Sequence, residues 1–172
     1  MQLWLIDTKV DLVRSWKSYF SDFENVFISE GNILDKAECS IVSPANSYGF
    51  MDGGIDRLYR DFFGPKVEKN LQKTIKRRAE GYIPIGSAEI IRTGHSHIPY
   101  LIAAPTMVTP AVIPSQNVFY AMMAILQIAS LHREIRSIYC PGLGTGIGQV
   151  SLDLAAQEMS SAYEKWLNSQ MR

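Results

Sequence analysis

The chain has 172 residues, of which 47% are hydrophobic and 20% charged, values typical of one packed globular domain and unlike those of a disordered chain. Its formal net charge is +0 at pH 7, so we do not expect it to bind ligands mainly through a strongly positive surface. The start has no basic region and no long apolar run, and Cys39 and Cys140 are the two cysteines. We therefore expect a single cytoplasmic domain over residues 1–172, with no signal peptide and no membrane span.

The hydrophobic pattern alternates strands with helices along the whole chain. It predicts strands at 3–6, 26–28, 40–42, 88–93, 100–104 and 137–140, and helices at 9–20, from 54 onward, at 67–79, at 115–132 and after an N-cap at Ser151. Such alternation predicts a mixed, mostly parallel sheet with helices on both faces, a three-layer α/β fold. Ligands of these sheets bind at the carboxyl ends of strands, which directs attention to the segments after the third and last strands.

Two glycine-bearing segments lead from a strand into a helix. In residues 44–56, Gly53 and Gly54 precede a helix start, where backbone amides point outward. In residues 141–149, glycine recurs at every second position from Gly142 to Gly148, a backbone suited to surround anionic oxygens. Neither segment fits the dinucleotide fingerprint or the Walker loop. One such loop is commonly just a turn, but two at matching positions indicate a two-sided anion clamp.

The ordered set of these motifs resembles the macrodomain family from about residue 3 to residue 166. Its elements are Gly31-Asn32-Ile33, Pro44-Ala45-Asn46, Gly53-Gly54-Ile55-Asp56 and the glycine run 142–148. The resemblance implies a macrodomain-like fold that binds ADP-ribose, and the ten-residue step from Asn46 to Asp56 is similar to the hydrolytic branch of the family. It assigns ligand contacts to Asn32, Ile33, Ala45, Gly53, Gly54, Ile55, Gly142, Leu143, Gly144, Thr145, Gly146, Ile147 and Gly148.

The resemblance implies catalytic roles for Asn46 and Asp56 and an adenine site at Asn32. Asn46 would hold the distal ribose, or else only form an Asx turn. Asp56 would orient a water near the anomeric carbon, or else only favour its helix dipole. The family usually has aspartate where this chain has Asn32, and that residue accepts from the adenine amino group. The amide oxygen of Asn32 can accept the same hydrogen bond but carries no charge, so we expect weaker adenine binding, unless Asn32 is only a turn residue.

A second departure from the family lies in the glycine run. Many relatives carry Phe or Tyr at the position of Gly148, so its glycine implies a roomier pocket, which Tyr48, Phe50 or Met107 could refill.

Three functions remain open at this level. The first is a hydrolase acting on ADP-ribose conjugates of protein or nucleic acid, or on O-acetyl-ADP-ribose. The second is an ADP-ribose 1″-phosphate phosphatase, and the third is a non-catalytic ADP-ribose binding module. No cofactor or metal is expected, because His95 and His97 read as a solvated turn and both cysteines read as buried strand residues. The basic residues between 66 and 78 indicate a solvated helix face that could contact a polyanionic substrate. For the oligomeric state, a monomer is favoured.

Overall fold

The computed structural model describes residues 1–171, which form a six-stranded sheet and five α-helices. The strands are β1 (Gln2–Asp7), β2 (Val26–Glu30), β3 (Ser40–Ser43), β4 (Glu89–Arg92), β5 (Tyr100–Ala103) and β6 (Ser137–Cys140). The helices are α1 (Val10–Tyr19), α2 (Gly54–Phe63), α3 (Lys66–Ile75), α4 (Gln116–Ser130) and α5 (Leu152–Gln170), with a 3₁₀ turn at Ile33–Asp35. Within residues 1–171, no helix is both long and apolar enough to cross a membrane.

The strands lie in the order β2-β1-β6-β3-β5-β4, and every neighbouring pair is parallel except β4 and β5. This confirms the mixed, mostly parallel sheet. Successive strand residues contribute to opposite faces: Ile41 and Leu101 belong to the cluster under α2 and α3, whereas Val42 and Ile102 belong to the cluster under α1, α4 and α5. The period of two therefore divides the core into the two halves of a three-layer fold.

Helix ends agree with the sequence to within a few residues, and the largest difference is at α3. The sequence predicted a helix over 67–79, but α3 ends at Ile75. The amides of Arg77 and Arg78 donate to Thr74 and Ile75, three residues back, so the chain tightens into turns after that point. The predicted cap of the last helix is present, since the Ser151 hydroxyl accepts from the amide of Leu154 at 3.4 Å.

The sheet order places the first strand inside the sheet, next to the edge strand β2. Strand β1 lies between β2 and β6, with Leu3 in register with both Val26 and Ile138. Because β1, β2, β3 and β6 run parallel, their carboxyl ends meet at one edge. The segments that follow them, at 7–9, 31–34, 44–56 and 141–148, surround a single depression there.

Candidate active site

The depression is a cavity of about 360 Å³. Its lining includes all but one of the ligand-contact and catalytic positions predicted from the sequence: Asn32, Ile33, Ala45, Asn46, Gly53, Gly54, Ile55, Asp56, Gly142, Gly144, Thr145, Gly146, Ile147 and Gly148. Phe50 and Met107 also line it, whereas Tyr48 lies against Tyr82 with ring centroids 6.1 Å apart. Motifs far apart in sequence thus converge on one concave site of a size that small-molecule ligands use.

Two predictions about the glycine run require correction. The side chain of Leu143 is fully buried in the core cluster and does not line the cavity. Gly148 does not leave open space, because a β carbon there would lie 2.7 Å from the carbonyl oxygen of Gly144 and 2.9 Å from Ile113. Ile113 and the loop backbone therefore already occupy the surroundings of a β carbon at this position, and the glycine leaves no free space there.

The glycine run presents a row of free amides. Among the described residues, no protein group accepts from the amides of Gly144 to Gly148. The loop keeps its shape through its carbonyls, since Gly144 accepts from Val150 at 3.0 Å and Gly148 accepts from Ile113 at 3.1 Å. Gly144 has φ +70°, a conformation that glycine adopts without strain. Consecutive unpaired amides facing a cavity form an anion-binding concavity.

The loop after β1 supports this row, and the sequence reasoning missed it. The Asp7 carboxylate accepts from the amides of Lys9 and Gly142, each at 3.0 Å. The Lys9 ammonium donates to the carbonyl and hydroxyl oxygens of Thr145, at 3.2 and 3.3 Å. The sequence could have indicated this loop, because Asp7 ends a buried strand. Ligands bind at the carboxyl ends of such strands, and this holds for β1 as it does for β3 and β6.

Asp56 lies in the first turn of α2, 8% exposed, and faces the end of β3. The Ser43 hydroxyl donates to its carboxylate at 2.5 Å. Burial raises the pKa of Asp56 to about 7, and the hydrogen bond from Ser43 offsets part of that rise. A carboxyl group in a cleft with a pKa near neutrality has the property of a general acid or base. Ser43 gave no sequence signal beyond its place at the strand end.

Asn46 forms the Asx turn that was its alternative role. Its side-chain oxygen accepts from the amides of Tyr48 and Phe50 at 3.1 and 3.3 Å, and its Nδ2 donates to the Phe50 carbonyl at 2.8 Å. The loop is anchored further where the amide of Met51 donates to Glu68 of α3 at 2.8 Å. Asn46 therefore shapes the loop that lines the cavity, and its side chain already has partners in this state.

Asn32 also has a local role. Its side-chain oxygen accepts from the amide of Leu34 at 3.1 Å and caps the 3₁₀ turn. Its Nδ2 makes no hydrogen bond within the described part of the chain, and neither does the amide of Ile33. Both of these open groups are donors.

Other reactive side chains lie away from this chemistry. Cys140 is buried in β6, and burial raises the pKa of its thiol far above the ordinary value. Cys39 is not the buried strand residue that was expected: it precedes β3, is half-buried and has φ +67°. His95 lies against Phe62 and Phe63, and its Nδ1 accepts from the amides of His97 and Ile98.

Fold and cavity together define an α/β domain in which a run of unpaired backbone amides borders a cavity at the strand ends. The profile of the family described as Macro domain matches residues 42–159, and the chain belongs to that family. An uncharacterized protein of Aquifex aeolicus is 31% identical over 83% of this chain and 82% of its own length. The macrodomain of Mycobacterium tuberculosis DarG, 22% identical, has a TM-score of 0.69 over 80% of this chain and 88% of its own. An Oceanobacillus iheyensis macrodomain variant with ADPR, 17% identical, has a TM-score of 0.62 over 82% of this chain and 90% of its own.

Proposed function

We propose that the cavity binds ADP-ribose, with the diphosphate held by the amides of Gly144 to Gly148. The single observation that carries this proposal is the row of unpaired amides on the cavity wall. In the same cavity, the first turn of α2 adds the amides of Gly54 and Ile55, which have no acceptor within their own helix. Two sets of unpaired amides in one cavity suit a ligand with two adjacent phosphates. The Oceanobacillus iheyensis variant of similar fold holds ADPR, which supports this choice of ligand.

The segments next to the two sets of amides suggest where the two ends of ADP-ribose would bind. Adenine would lie at the edge formed by Asn32 and Ile33, because a purine ring offers nitrogen acceptors to the open amide of Ile33 and Nδ2 of Asn32. The distal ribose would lie beside Asn46 and Asp56, near the end of β3. Asn46 would donate to a ribose hydroxyl through its second Nδ2 hydrogen, for which no acceptor lies among the described residues.

We further propose that the protein hydrolyses ADP-ribose conjugates at the anomeric carbon of the distal ribose. Ionised Asp56 would accept a proton from the attacking water, while the Ser43 hydroxyl keeps the carboxylate oriented. Cleavage of the bond between the anomeric carbon and the leaving group develops positive charge on the ribose, which the nearby carboxylate stabilises. The water oxygen bonds to the anomeric carbon as the leaving group departs with the bonding electrons, and the proton that Asp56 took from the water passes to the leaving group. The conjugate could be carried by protein or by nucleic acid.

A non-catalytic binding module is the second candidate. The observation that favours it is the heavy use of the Asn46 side chain within its own loop: its oxygen accepts from two amides and one Nδ2 hydrogen is donated to Phe50, which leaves a single donor for the distal ribose. In that case Asp56 would shape the pocket and perform no chemistry.

A binding measurement followed by a turnover measurement distinguishes the hydrolase from the non-catalytic binding module. Calorimetry with ADP-ribose and AMP tests binding, and AMP should bind more weakly because it lacks one phosphate and the distal ribose. A ligand at one hundred times its dissociation constant should stabilise the fold by about 2.7 kcal/mol. Turnover is then measured on protein-linked, nucleic-acid-linked and O-acetyl conjugates and on ADP-ribose 1″-phosphate, for the parent chain and Asp56→Ala. Absence of heat and of thermal shift at millimolar ADP-ribose would overturn the proposal; binding without any turnover would favour the module.

A further inference from the structure

The cavity has an unusual charge distribution for a site that would hold a diphosphate. Three carboxylates line it, those of Asp7, Asp52 and Asp56. Within residues 1–171, Lys9 is the one lysine or arginine among the lining residues. Backbone amides offer only partial charges to an anion, whereas a lysine offers a full one. The only full positive charge among the described lining residues therefore comes from the side chain of Lys9.

The position of Lys9 is fixed from both ends. Its backbone amide donates to Asp7, which also accepts from Gly142 at the start of the glycine run. Its ammonium donates to two oxygens of Thr145 in the same run. An ammonium has three N–H groups, so one remains after these two hydrogen bonds. The charge is thus held beside the free amides of the loop, with a donor left for a ligand oxygen.

We propose that Lys9 is a specificity-determining residue that recognises the phosphate charge of the ligand, an inference that rests on the proposed function. Lys9 selects ligands with a phosphate or diphosphate over neutral nucleosides and sugars, because it offsets the repulsion that the lining carboxylates exert on an anion. A purely structural lysine would also hold Thr145 in place, but its charge would then have no effect on which ligand binds.

The test compares Lys9→Met, Lys9→Gln and Lys9→Arg in calorimetric titrations with ADP-ribose and with adenosine. Lys9→Met should weaken ADP-ribose binding by about tenfold at low salt, as expected for the loss of a charge-assisted hydrogen bond. Adenosine binding should not change. Lys9→Gln retains a donor for Thr145 but no charge, and should be as weak as Lys9→Met. Lys9→Arg should retain most of the affinity, and the difference between parent and Lys9→Met should shrink as added salt screens the charge.

Lys36→Met is the matched control, because Lys36 is also a lysine bonded to a backbone carbonyl, that of Glu30 at 2.9 Å, but does not line the cavity. Its affinity for both ligands should equal that of the parent chain. Parent affinity in Lys9→Gln, or equal weakening of adenosine and ADP-ribose in Lys9→Met, would overturn the inference. Failure of the parent chain to bind ADP-ribose would overturn the proposed function and this inference together, and is seen before any variant is compared.

Discussion

The hydroxyl of Ser43 donates a hydrogen bond to the carboxylate of Asp56 across 2.5 Å, and joins the last residue of β3 to the first turn of α2. Both residues are buried, Ser43 completely. Burial penalises the charged form of Asp56, and the hydroxyl partly compensates by favouring it. A fold without a use for this carboxyl group would gain stability by replacing it with a neutral side chain.

Asp56 should therefore lower the stability of the fold as the pH rises. Its pKa is about 7 in the folded chain, against about 3.9 when unfolded. Between these values the folded chain retains a proton that the unfolded chain releases, so the free energy of unfolding falls as pH rises from 4 to 7 and stays low above 7. Asp56→Asn should be more stable than the parent at pH 8 by about 1–4 kcal/mol, and similar to it near pH 4.

Urea titrations of both chains across this pH range measure the difference. Identical pH dependence in parent and Asp56→Asn would show that Asp56 titrates normally. Asp56→Asn should at the same time lose turnover by about two to four orders of magnitude if the carboxylate takes part in the reaction. Gain of stability with loss of activity is the pattern of a residue retained for function.

Under the proposed hydrolysis, Ser43 should set the pH range of turnover. If ionised Asp56 is the base, kcat/KM rises with pH through about 7. Since the Ser43 hydroxyl lowers the pKa of Asp56, Ser43→Ala should move this rise to higher pH. The measurement is the pH profile of kcat/KM on the preferred conjugate. Ser40→Ala is the control, because Ser40 is also buried in β3 but donates to the carbonyl of Ser137 at the other end of the strand. Equal midpoints in all three chains would contradict this role.

Gly146 and Gly144 should respond differently to a side chain. A β carbon at Gly146 meets no atom within 4 Å, so Gly146→Glu should fold normally. Its carboxylate would point into the diphosphate path, and ADP-ribose affinity should fall by at least about tenfold. At Gly144, the positive φ and a contact of 2.8 Å with Val118 make Gly144→Ala destabilising. Affinity and melting temperature are measured for both. Unchanged affinity in a folded Gly146→Glu chain would show that the loop does not bind the phosphates.

Replacement of Tyr59 by phenylalanine should stabilise the fold. Its ring is fully buried on the floor of the cavity, and no protein group among the described residues pairs with its hydroxyl. Removing an unpaired buried hydroxyl with retention of the ring should raise the free energy of unfolding by about 1 kcal/mol. Tyr59→Ala should instead lose about 3–5 kcal/mol through the cavity it creates. Chemical denaturation of the two variants gives both values; a less stable Tyr59→Phe would mean that the hydroxyl has a partner in solution.

The sequence predicts those parts of the fold that depend on residues close together along the chain. The adjacent apolar residues Ile41 and Val42 predict a strand buried on both faces, and Ser151 marks the start of α5. The carboxyl-end rule and the glycine spacing locate most of the cavity wall. The roles of Asn46 and Asp56 in catalysis remain predictions that the geometry accommodates.

What the sequence does not predict depends on partners that are distant along the chain. Lys9 reads as the first residue of a helix until Thr145 is placed beside it. Ser43 reads as a strand residue until α2 brings Asp56 to it. The glycine at position 148 suggests an empty space, and only the packing of Ile113 shows that it is filled. Each of these is a contact between segments, which local pattern does not encode.

The placement of β1 between β2 and β6 has a consequence for the order in which the chain can fold. During synthesis, β1 and β2 can pair as soon as both have emerged, because only α1 separates them. The other edge of β1 stays open until β6 is made, and the Asp7 contact to Gly142 then spans 135 residues. Long-range pairing of this kind slows folding and leaves an unpaired strand edge in the partial chain. The cavity wall formed by residues 141–148 is therefore among the last structures to form on the ribosome, and a truncated chain that lacks β6 exposes a surface prone to aggregation.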